Sequence, residues 1–111
     1  MHYKRNEAFR YQFKEKITAE ITIDRLYTIE IILIDVSPKG MRFSSTKKIP
    51  IDSNICIEYK IVHEKLQING FIVWQIDYGT FYQYGASLED NKIYQKQLIN
   101  ELKKLAKTKP Q

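Results

Sequence analysis

Hydrophobic and polar residues alternate along much of this chain of 111 residues. Over residues 66–76 the apolar side chains fall mainly on every second position, with polar side chains such as Gln67 and Asn69 between them. The same period of two recurs over residues 55–61 and 82–88. Because successive side chains of a β-strand point to opposite faces, this period indicates a strand with one buried face. These three segments are therefore predicted strands.

The first half of the chain contains further strand candidates. Residues 9–15 and 19–23 are short runs rich in aromatic and β-branched side chains. Residues 27–34 are almost continuously apolar, which is typical of a strand covered on both faces. Alternation resumes at residues 41–44. Turn-forming residues separate the predicted strands at 38–40, 50–53 and 77–80. Short strands joined by tight turns predict a barrel or a sandwich.

The hydrophobic period changes after Asp90. Apolar side chains then recur every three or four residues, at Tyr94, Leu98, Leu102 and Leu105. This spacing predicts one amphipathic helix over about residues 91–107, and either Asp90 or Asn91 can cap its start. Predicted helices do not alternate with predicted strands, so the pattern excludes a parallel βαβ architecture. At 111 residues, the chain is expected to form a single domain.

Composition narrows the chemical setting of the protein. Cys56 is the one cysteine and the two histidines lie far apart, so neither an internal disulfide nor a zinc site is predicted. The longest aliphatic run, residues 31–34, is far shorter than the roughly 18 residues of a transmembrane helix. The first ten residues lack the apolar region of a signal peptide. We therefore expect a cytoplasmic protein with no membrane insertion and no cofactor.

The charge balance favours anionic partners. The formal net charge is +5, with 18 Lys and Arg residues against 13 Asp and Glu residues. Five lysines lie between Lys92 and Lys107, so part of this excess belongs to the predicted helix, where a solvated face is the simplest explanation. The sequence has no Gly-rich phosphate loop, GxSxG elbow or HExxH motif. We therefore expect a binding protein and not an enzyme.

The segment with the most informative chemistry is the turn from Asp35 to Gly40, whose sequence is Asp-Val-Ser-Pro-Lys-Gly. An aspartate carboxylate can accept two hydrogen bonds from donors such as those on the Watson–Crick edge of guanine, and the Ser37 hydroxyl can donate or accept. Gly40 is expected to supply a positive φ for a sharp turn. A turn of this composition also arises where Asp and Ser simply bond to their own backbone. The surrounding residues have to decide between these two interpretations.

With these surroundings included, the chain resembles the PilZ domain family. The family signature D/N-x-S-x-x-G matches fully at Asp35, Ser37 and Gly40. Later strands are similar as well, and the resemblance extends over about residues 3–105. It implies a mainly β fold, a small six- to seven-stranded antiparallel split β-barrel over about residues 10–89 with one C-terminal α-helix.

The second family signature, RxxxR, falls near an N-terminal arm, residues 1–9, that the resemblance implies is flexible. Arg10 matches the final arginine, Asn6 stands where the first arginine belongs, and Arg5 precedes it. In the family, these arginines hold the phosphates and guanine faces of cyclic di-GMP, while the D/N-x-S-x-x-G turn contacts a guanine edge. Arginine suits this role through forked hydrogen bonds and stacking, and Arg5 is close enough in sequence to compensate for Asn6. The candidate ligand-binding residues are therefore Arg5, Asn6, Arg10, Asp35, Ser37 and Gly40.

The function implied by the resemblance is a receptor or effector module. It would bind cyclic di-GMP, order its N-terminal arm and so signal to an unidentified partner protein. The departure at Asn6 favours an alternative, a degenerate PilZ protein-interaction module that does not bind the nucleotide. A third and less favoured interpretation is a basic barrel that binds single-stranded nucleic acid through exposed tyrosines.

Overall fold

The computed structural model describes residues 10–108 of the chain. The flexible arm expected over residues 1–9, together with the candidate residues Arg5 and Asn6, lies outside the described residues. The described part consists of six strands and one helix. They are β1 (Tyr11–Ile23), β2 (Tyr27–Ser37), β3 (Gly40–Ser45), β4 (Asn54–Lys60), β5 (Lys65–Asp77), β6 (Tyr82–Leu88) and α1 (Lys92–Thr108).

The strands form a closed barrel in the order β1-β2-β3-β6-β5-β4, and every neighbouring pair is antiparallel. The expected fold class is thus confirmed, with six strands. The two candidates over residues 9–15 and 19–23 join into the single strand β1. The pairing of β1 with β2 shifts register between Gln12 and Ile17. Such an irregularity bends a strand without ending it, so one strand replaces two.

One hydrophobic core fills the barrel and extends to the helix. In β2, Ile31 and Leu33 are buried in this core, whereas Ile32 between them is exposed. The expectation that residues 27–34 form a strand covered on both faces is therefore wrong. A closed barrel has only one interior, so the outward side chains of an apolar strand stay at the surface unless another element covers them.

Helix α1 packs its apolar side onto the barrel. Tyr94, Leu98 and Leu102 are buried in the common core. Asn91 caps the helix, as its Oδ1 accepts a hydrogen bond from the backbone N–H of Tyr94 at 3.0 Å. The hydroxyl groups of Tyr59 in β4 and Tyr94 are hydrogen-bonded to each other at 2.6 Å, inside the core. Burial is the main cause that raises the pKa of both tyrosines, and the neighbouring Tyr94 hydroxyl raises that of Tyr59 further. Both side chains are therefore neutral at physiological pH.

A buried glutamate fixes the helix to the loop between β4 and β5. Oε1 of Glu101 accepts hydrogen bonds from the backbone N–H groups of Val62 at 3.0 Å, His63 at 2.7 Å and Glu64 at 3.3 Å. Nζ of Lys104 lies 3.3 Å from the other carboxylate oxygen. Helix α1 is thus held both by its apolar side and by a fully bonded carboxylate. Within residues 10–108, no helix combines the length and the apolarity needed to cross a membrane.

Candidate functional site

The candidate site centres on the carboxylate of Asp35, which is only 1% exposed. Nη1 of Arg10 donates a hydrogen bond to its Oδ1 at 2.6 Å. Arg42 donates to Oδ2 through both Nε, at 2.7 Å, and Nη2, at 2.5 Å. Each carboxylate oxygen therefore has its own guanidinium partner. The two arginines are themselves accessible, with side chains 51% and 38% exposed.

A β-bulge directs Asp35 to the outer face of the barrel. Leu33 pairs with Phe43 across β2 and β3, but Asp35 pairs with Arg42, which leaves Ile34 as an extra residue in β2. Arg42 lies on the outer face, because its neighbours Met41 and Phe43 are both buried in the core. Its cross-strand partner Asp35 shares that face. Without the bulge, the strict alternation set by Leu33 would direct Asp35 into the apolar interior.

Ser37 and Gly40 close the hairpin beside this ion pair. They face each other across β2 and β3, with Pro38 and Lys39 forming the turn between them. The Ser37 hydroxyl donates to the Gly40 carbonyl at 3.4 Å, a long and weak hydrogen bond. That bond leaves the hydroxyl free to exchange partners when a ligand arrives.

The reason for a glycine at position 40 differs from the one expected. Among the described residues the one glycine with positive φ is Gly79, so the prediction of a positive φ at Gly40 is wrong. A Cβ at position 40 would instead lie 3.2 Å from Oγ of Ser37 and 3.8 Å from Nη2 of Arg10. Gly40 therefore leaves space next to the site residues, and its backbone conformation does not require a glycine.

Two residues that the sequence did not single out belong to the same surface. Arg42 pairs with Asp35 on one side and with Gly85 on the other, and Gly85 pairs in turn with Trp74. A Cβ at position 85 would come within 2.1 Å of the Trp74 indole, so the ring lies directly over this glycine. At about 4.8 Å between strands, the row from Asp35 to Trp74 spans about 14 Å of the outer face. From one end to the other, this row presents a carboxylate, guanidinium groups and an aromatic ring.

A sequence signal existed for Arg42, whereas the period of two over residues 66–76 predicted Trp74 on the buried face of its strand, together with Ile72. That prediction is wrong, because Trp74 lies over Gly85 on the outer face. Arg42 stands between two apolar residues directly after the signature turn, so the period of two already places it on the outer face. The contact of Trp74 with Gly85 depends on the register of β5 against β6, which shifts between Ile72 and Trp74. The sequence cannot show that shift.

The electrostatics of the row favour anionic ligands. The hydrogen bonds from Arg42 to Asp35 raise the pKa of the guanidinium above its ordinary value, although burial opposes this, so Arg42 stays charged. Two guanidinium groups next to one carboxylate leave an excess positive charge at the surface. Among the described residues, no group of His, Cys, Asp and Glu side chains is arranged to hold a metal ion.

Of the six candidate residues, the structure brings together Arg10, Asp35, Ser37 and Gly40 around this site. The first two form an ion pair, and the other two form the hairpin end beside it. Arg5 and Asn6 lie outside the described residues. Their contribution to the site stays a prediction.

Comparisons with known proteins agree with this architecture. The PilZ domain family model matches residues 3–104. The PilZ domain of YcgR from Escherichia coli, solved with c-di-GMP, superposes with a TM-score of 0.67 at 14% identity, covering 96% of this chain and 100% of that chain.

Two longer proteins share the fold as well. The inhibitor of motility MotI/DgrA from Bacillus subtilis gives a TM-score of 0.68 at 8% identity, and this chain covers 55% of its length with 97% of its own. MrkH from K. pneumonia in its apo state gives 0.69 at 11% identity, with 56% and 98% covered. This chain thus spans about half the length of these two proteins. A search of curated proteins by sequence gave no match. Because the family model covers most of the sequence, the chain belongs to the PilZ domain family.

Proposed function

We propose that this chain is a receptor for cyclic di-GMP, which binds on the outer face of the barrel between Arg10 and the Asp35–Gly40 turn. The observation that carries the proposal is the buried Asp35 carboxylate held between two accessible arginines. Membership of the PilZ family supports the choice of ligand. So does the similarity to the YcgR domain, whose structure was solved with c-di-GMP.

The chemistry of the row matches the parts of this ligand. A guanine base presents N–H donors on its Watson–Crick edge, and a carboxylate such as Asp35 accepts two of them. The phosphates of the ligand need cationic donors, which Arg10 and Arg42 provide in forked geometry. Trp74 adds an aromatic face at the far end of the row, where a base can stack.

Ligand binding on this site requires an exchange of partners. In the structure, Arg10 and Arg42 occupy both oxygens of Asp35. An arriving phosphate competes for Arg10, whose side chain is half exposed, while a guanine edge replaces it at the carboxylate. One charge-assisted hydrogen bond, between Arg10 and Asp35, is broken, and two are formed, from Arg10 to the phosphate and from guanine to Asp35, so the new contacts offset the free-energy cost of the exchange.

The signalling step of the proposal involves the N-terminal arm. Ligand binding orders residues 1–9, with Arg5 taking over the phosphate contact that Asn6 cannot make, and the ordered arm changes the surface that a partner protein meets. The role is that of a binding module without catalytic activity. A gain-of-contact variant, Asn6→Arg, is expected to bind more tightly.

Calorimetric titration with cyclic di-GMP tests the proposal. Arg10→Ala is expected to weaken binding by about tenfold to 150-fold, the effect of losing one charge-assisted contact of about 1.5–3 kcal/mol. Lys48→Ala is the matched control, because Lys48 is an exposed cation in the loop before β4. Cyclic di-AMP has the same phosphates but lacks the guanine donors, so its binding should be much weaker. Equal affinity for both nucleotides would show that Asp35 does not read the base.

A second candidate function is favoured by Asn6, which replaces an arginine of the family signature. Without that arginine, the domain would be a protein-interaction module that has lost the ability to bind the nucleotide. No heat at high micromolar cyclic di-GMP, together with partner binding that is indifferent to the nucleotide, would favour this function over the first.

A further inference from the structure

Most of the net charge of the protein belongs to helix α1. The helix contains five lysines and one glutamate, so it carries four of the five net positive charges of the chain. The glutamate, Glu101, is buried and bonded to backbone amides. The exposed face of α1 therefore presents cations without an accessible carboxylate of its own.

Four of these lysines form a straight stripe along the helix. Lys92, Lys96, Lys103 and Lys107 are all exposed. At 3.6 residues per turn they fall within a sector of about 60°, and at 1.5 Å per residue the stripe is about 22 Å long. Lys92 lies 3.7 Å from Asp90 at one end of the stripe. Within residues 10–108, the other three have no ion-pair partner, so they are available to an external anion.

The stripe is presented rigidly. Tyr94 and Leu98 are buried in the core, and Glu101 binds the loop between β4 and β5 through backbone amides. The apolar side of α1 is thus already occupied by the barrel. A helix that inserts into the surface of a lipid bilayer needs a free apolar face, so this helix is unsuited to insertion.

An apolar anchor lies beside the lysines. Ile93 is 74% exposed and stands next to Lys92 in the first turn of the helix, with Lys96 one turn further. Protein interfaces commonly combine a large apolar contact with a polar or charged rim. The one aromatic residue of α1, Tyr94, is buried, so the helix has no surface on which nucleic-acid bases can stack. A protein surface is therefore the occupant that fits best.

We propose that the exposed face of α1, consisting of the lysine stripe and Ile93, is a docking surface for an acidic segment of a partner protein. Carboxylates spaced along about 22 Å of that segment would pair with the stripe, and an apolar pocket would take Ile93. The surface does not include Arg10 or Asp35. The inference therefore stands independently of the nucleotide proposal.

The test uses two synthetic helical peptides of identical composition. In one, glutamates repeat the spacing of Lys92, Lys96, Lys103 and Lys107 along one face; in the other, they are distributed around the helix. The full-length chain is titrated with each peptide at physiological salt, and binding is followed by NMR shifts of backbone amides. We expect tighter binding of the matched peptide, with the shifts concentrated on α1.

Two charge-reversal variants distinguish the effect of the position of the lysines on peptide binding from the effect of net charge. One changes Lys96, Lys103 and Lys107 to Glu; the other changes Lys14, Lys48 and Lys60, which are exposed lysines outside the helix, in the same way. The helix variant should weaken binding of the matched peptide by at least about tenfold, because three attractive pairs become repulsive. The control variant should change it by less than about threefold. Both variants should retain the affinity of the parent chain for cyclic di-GMP.

Several outcomes would overturn the proposal. If both triple variants weakened binding of the matched peptide equally, or if both peptides bound equally well, net charge and not the position of the lysines would explain the binding. Tighter binding to vesicles of anionic phosphatidylserine, or to a single-stranded 15-mer DNA, than to the matched peptide would assign the surface to another class of partner. Both peptides also contain leucines, which in the matched peptide are placed to contact Ile93, so an unchanged affinity for that peptide after Ile93→Ser would contradict the role of Ile93 as an anchor. Circular dichroism of each variant verifies that α1 is intact.

Discussion

Two carboxylates of this protein are equally buried but are held in different ways. Asp35 and Glu101 are each 1% exposed. Asp35 is held by the side chains of two arginines, which are accessible to solvent. Glu101 is held mainly by three consecutive backbone N–H groups of a loop. Both satisfy the requirement that a buried charge be paired and hydrogen-bonded.

The difference lies in whether the partners can leave. An arginine side chain can rotate toward a phosphate and release the carboxylate, whereas backbone amides move only if the loop itself refolds. The Asp35 arrangement therefore suits a site that exchanges partners with a ligand. The Glu101 arrangement suits a fixed attachment between helix and barrel. Substitutions at these two positions should separate binding from stability.

The largest effect on stability is expected for Glu101→Ala. It leaves three partly buried backbone amides of the loop between β4 and β5 without their acceptor, and each lost partner costs about 1–3 kcal/mol. We expect the free energy of unfolding to fall by about 3–5 kcal/mol, measured by urea denaturation at pH 7. Glu89→Ala, at an exposed glutamate before the helix, should change it by no more than about 0.5 kcal/mol. A loss below about 1 kcal/mol at Glu101 would contradict its role as an attachment point.

The opposite behaviour is expected for Asp35→Ala. Its arginine partners are accessible and can be solvated when the carboxylate is removed, so stability should change by only about 1 kcal/mol. Affinity for cyclic di-GMP should fall by about tenfold to 150-fold, since the acceptor for the guanine edge is lost. Calorimetry and urea denaturation on the same sample measure both quantities. A large fall in the free energy of unfolding, with affinity for cyclic di-GMP unchanged, would show that Asp35 stabilises the fold and does not bind the ligand.

Acid should weaken the helix attachment. Burial alone would raise the pKa of Glu101, but the amides of His63, Val62 and Glu64 and the ammonium of Lys104 hold it below its ordinary value. A lowered folded-state pKa means that the stabilisation is complete above the unfolded-state pKa, about 4.3, and is lost as pH falls through the folded-state value.

Glu101→Gln provides the comparison for this pH effect. It should be less stable than the parent chain by about 1–2 kcal/mol at pH 7, because its amide keeps an acceptor but lacks the charge. The difference should narrow as pH falls from 5 towards 3, in urea denaturation over a pH series. A difference that stays constant down to pH 3 would show that the carboxylate charge contributes nothing.

The smallest effect is expected for Gly40→Ala. The new Cβ would lie 3.2 Å from Oγ of Ser37, so the hydroxyl has to shift by a few tenths of an ångström. Affinity for cyclic di-GMP should fall by about twofold to fivefold, with a change in stability below about 1 kcal/mol. Gly79→Ala should lower stability and leave the affinity for cyclic di-GMP unchanged. The φ of 95° at this position strains an alanine backbone, and no other atoms lie within 4 Å of the added Cβ. Calorimetry and denaturation of both variants test this pair.

Much of the fold followed from the sequence. The period of two over residues 55–61, 66–76 and 82–88 corresponds to β4, β5 and β6, and the three-to-four period after Asp90 corresponds to α1. These patterns are local, since each depends only on which residues alternate between core and solvent. The nearly continuous apolar run over residues 27–34 gave the wrong burial, because an apolar outward face is not visible as such in a sequence.

The family signature was also legible in the sequence, at Asp35, Ser37 and Gly40. What the sequence could not provide were the partners of the two buried carboxylates. Arg42 meets Asp35 on the outer face because of the bulge at Ile34. Such a bulge depends on how one strand pairs with another.

The sequence by itself thus determined the elements, the family and half of the candidate site. The tertiary structure decided the register of the strands, the ion pairs of Asp35 and the attachment of Glu101 to a loop 37 to 39 residues earlier in the chain. The physical reason is range. Hydrophobic periodicity is set by neighbours along the chain, whereas a buried charge is stabilised by whichever donors the closed barrel brings to it.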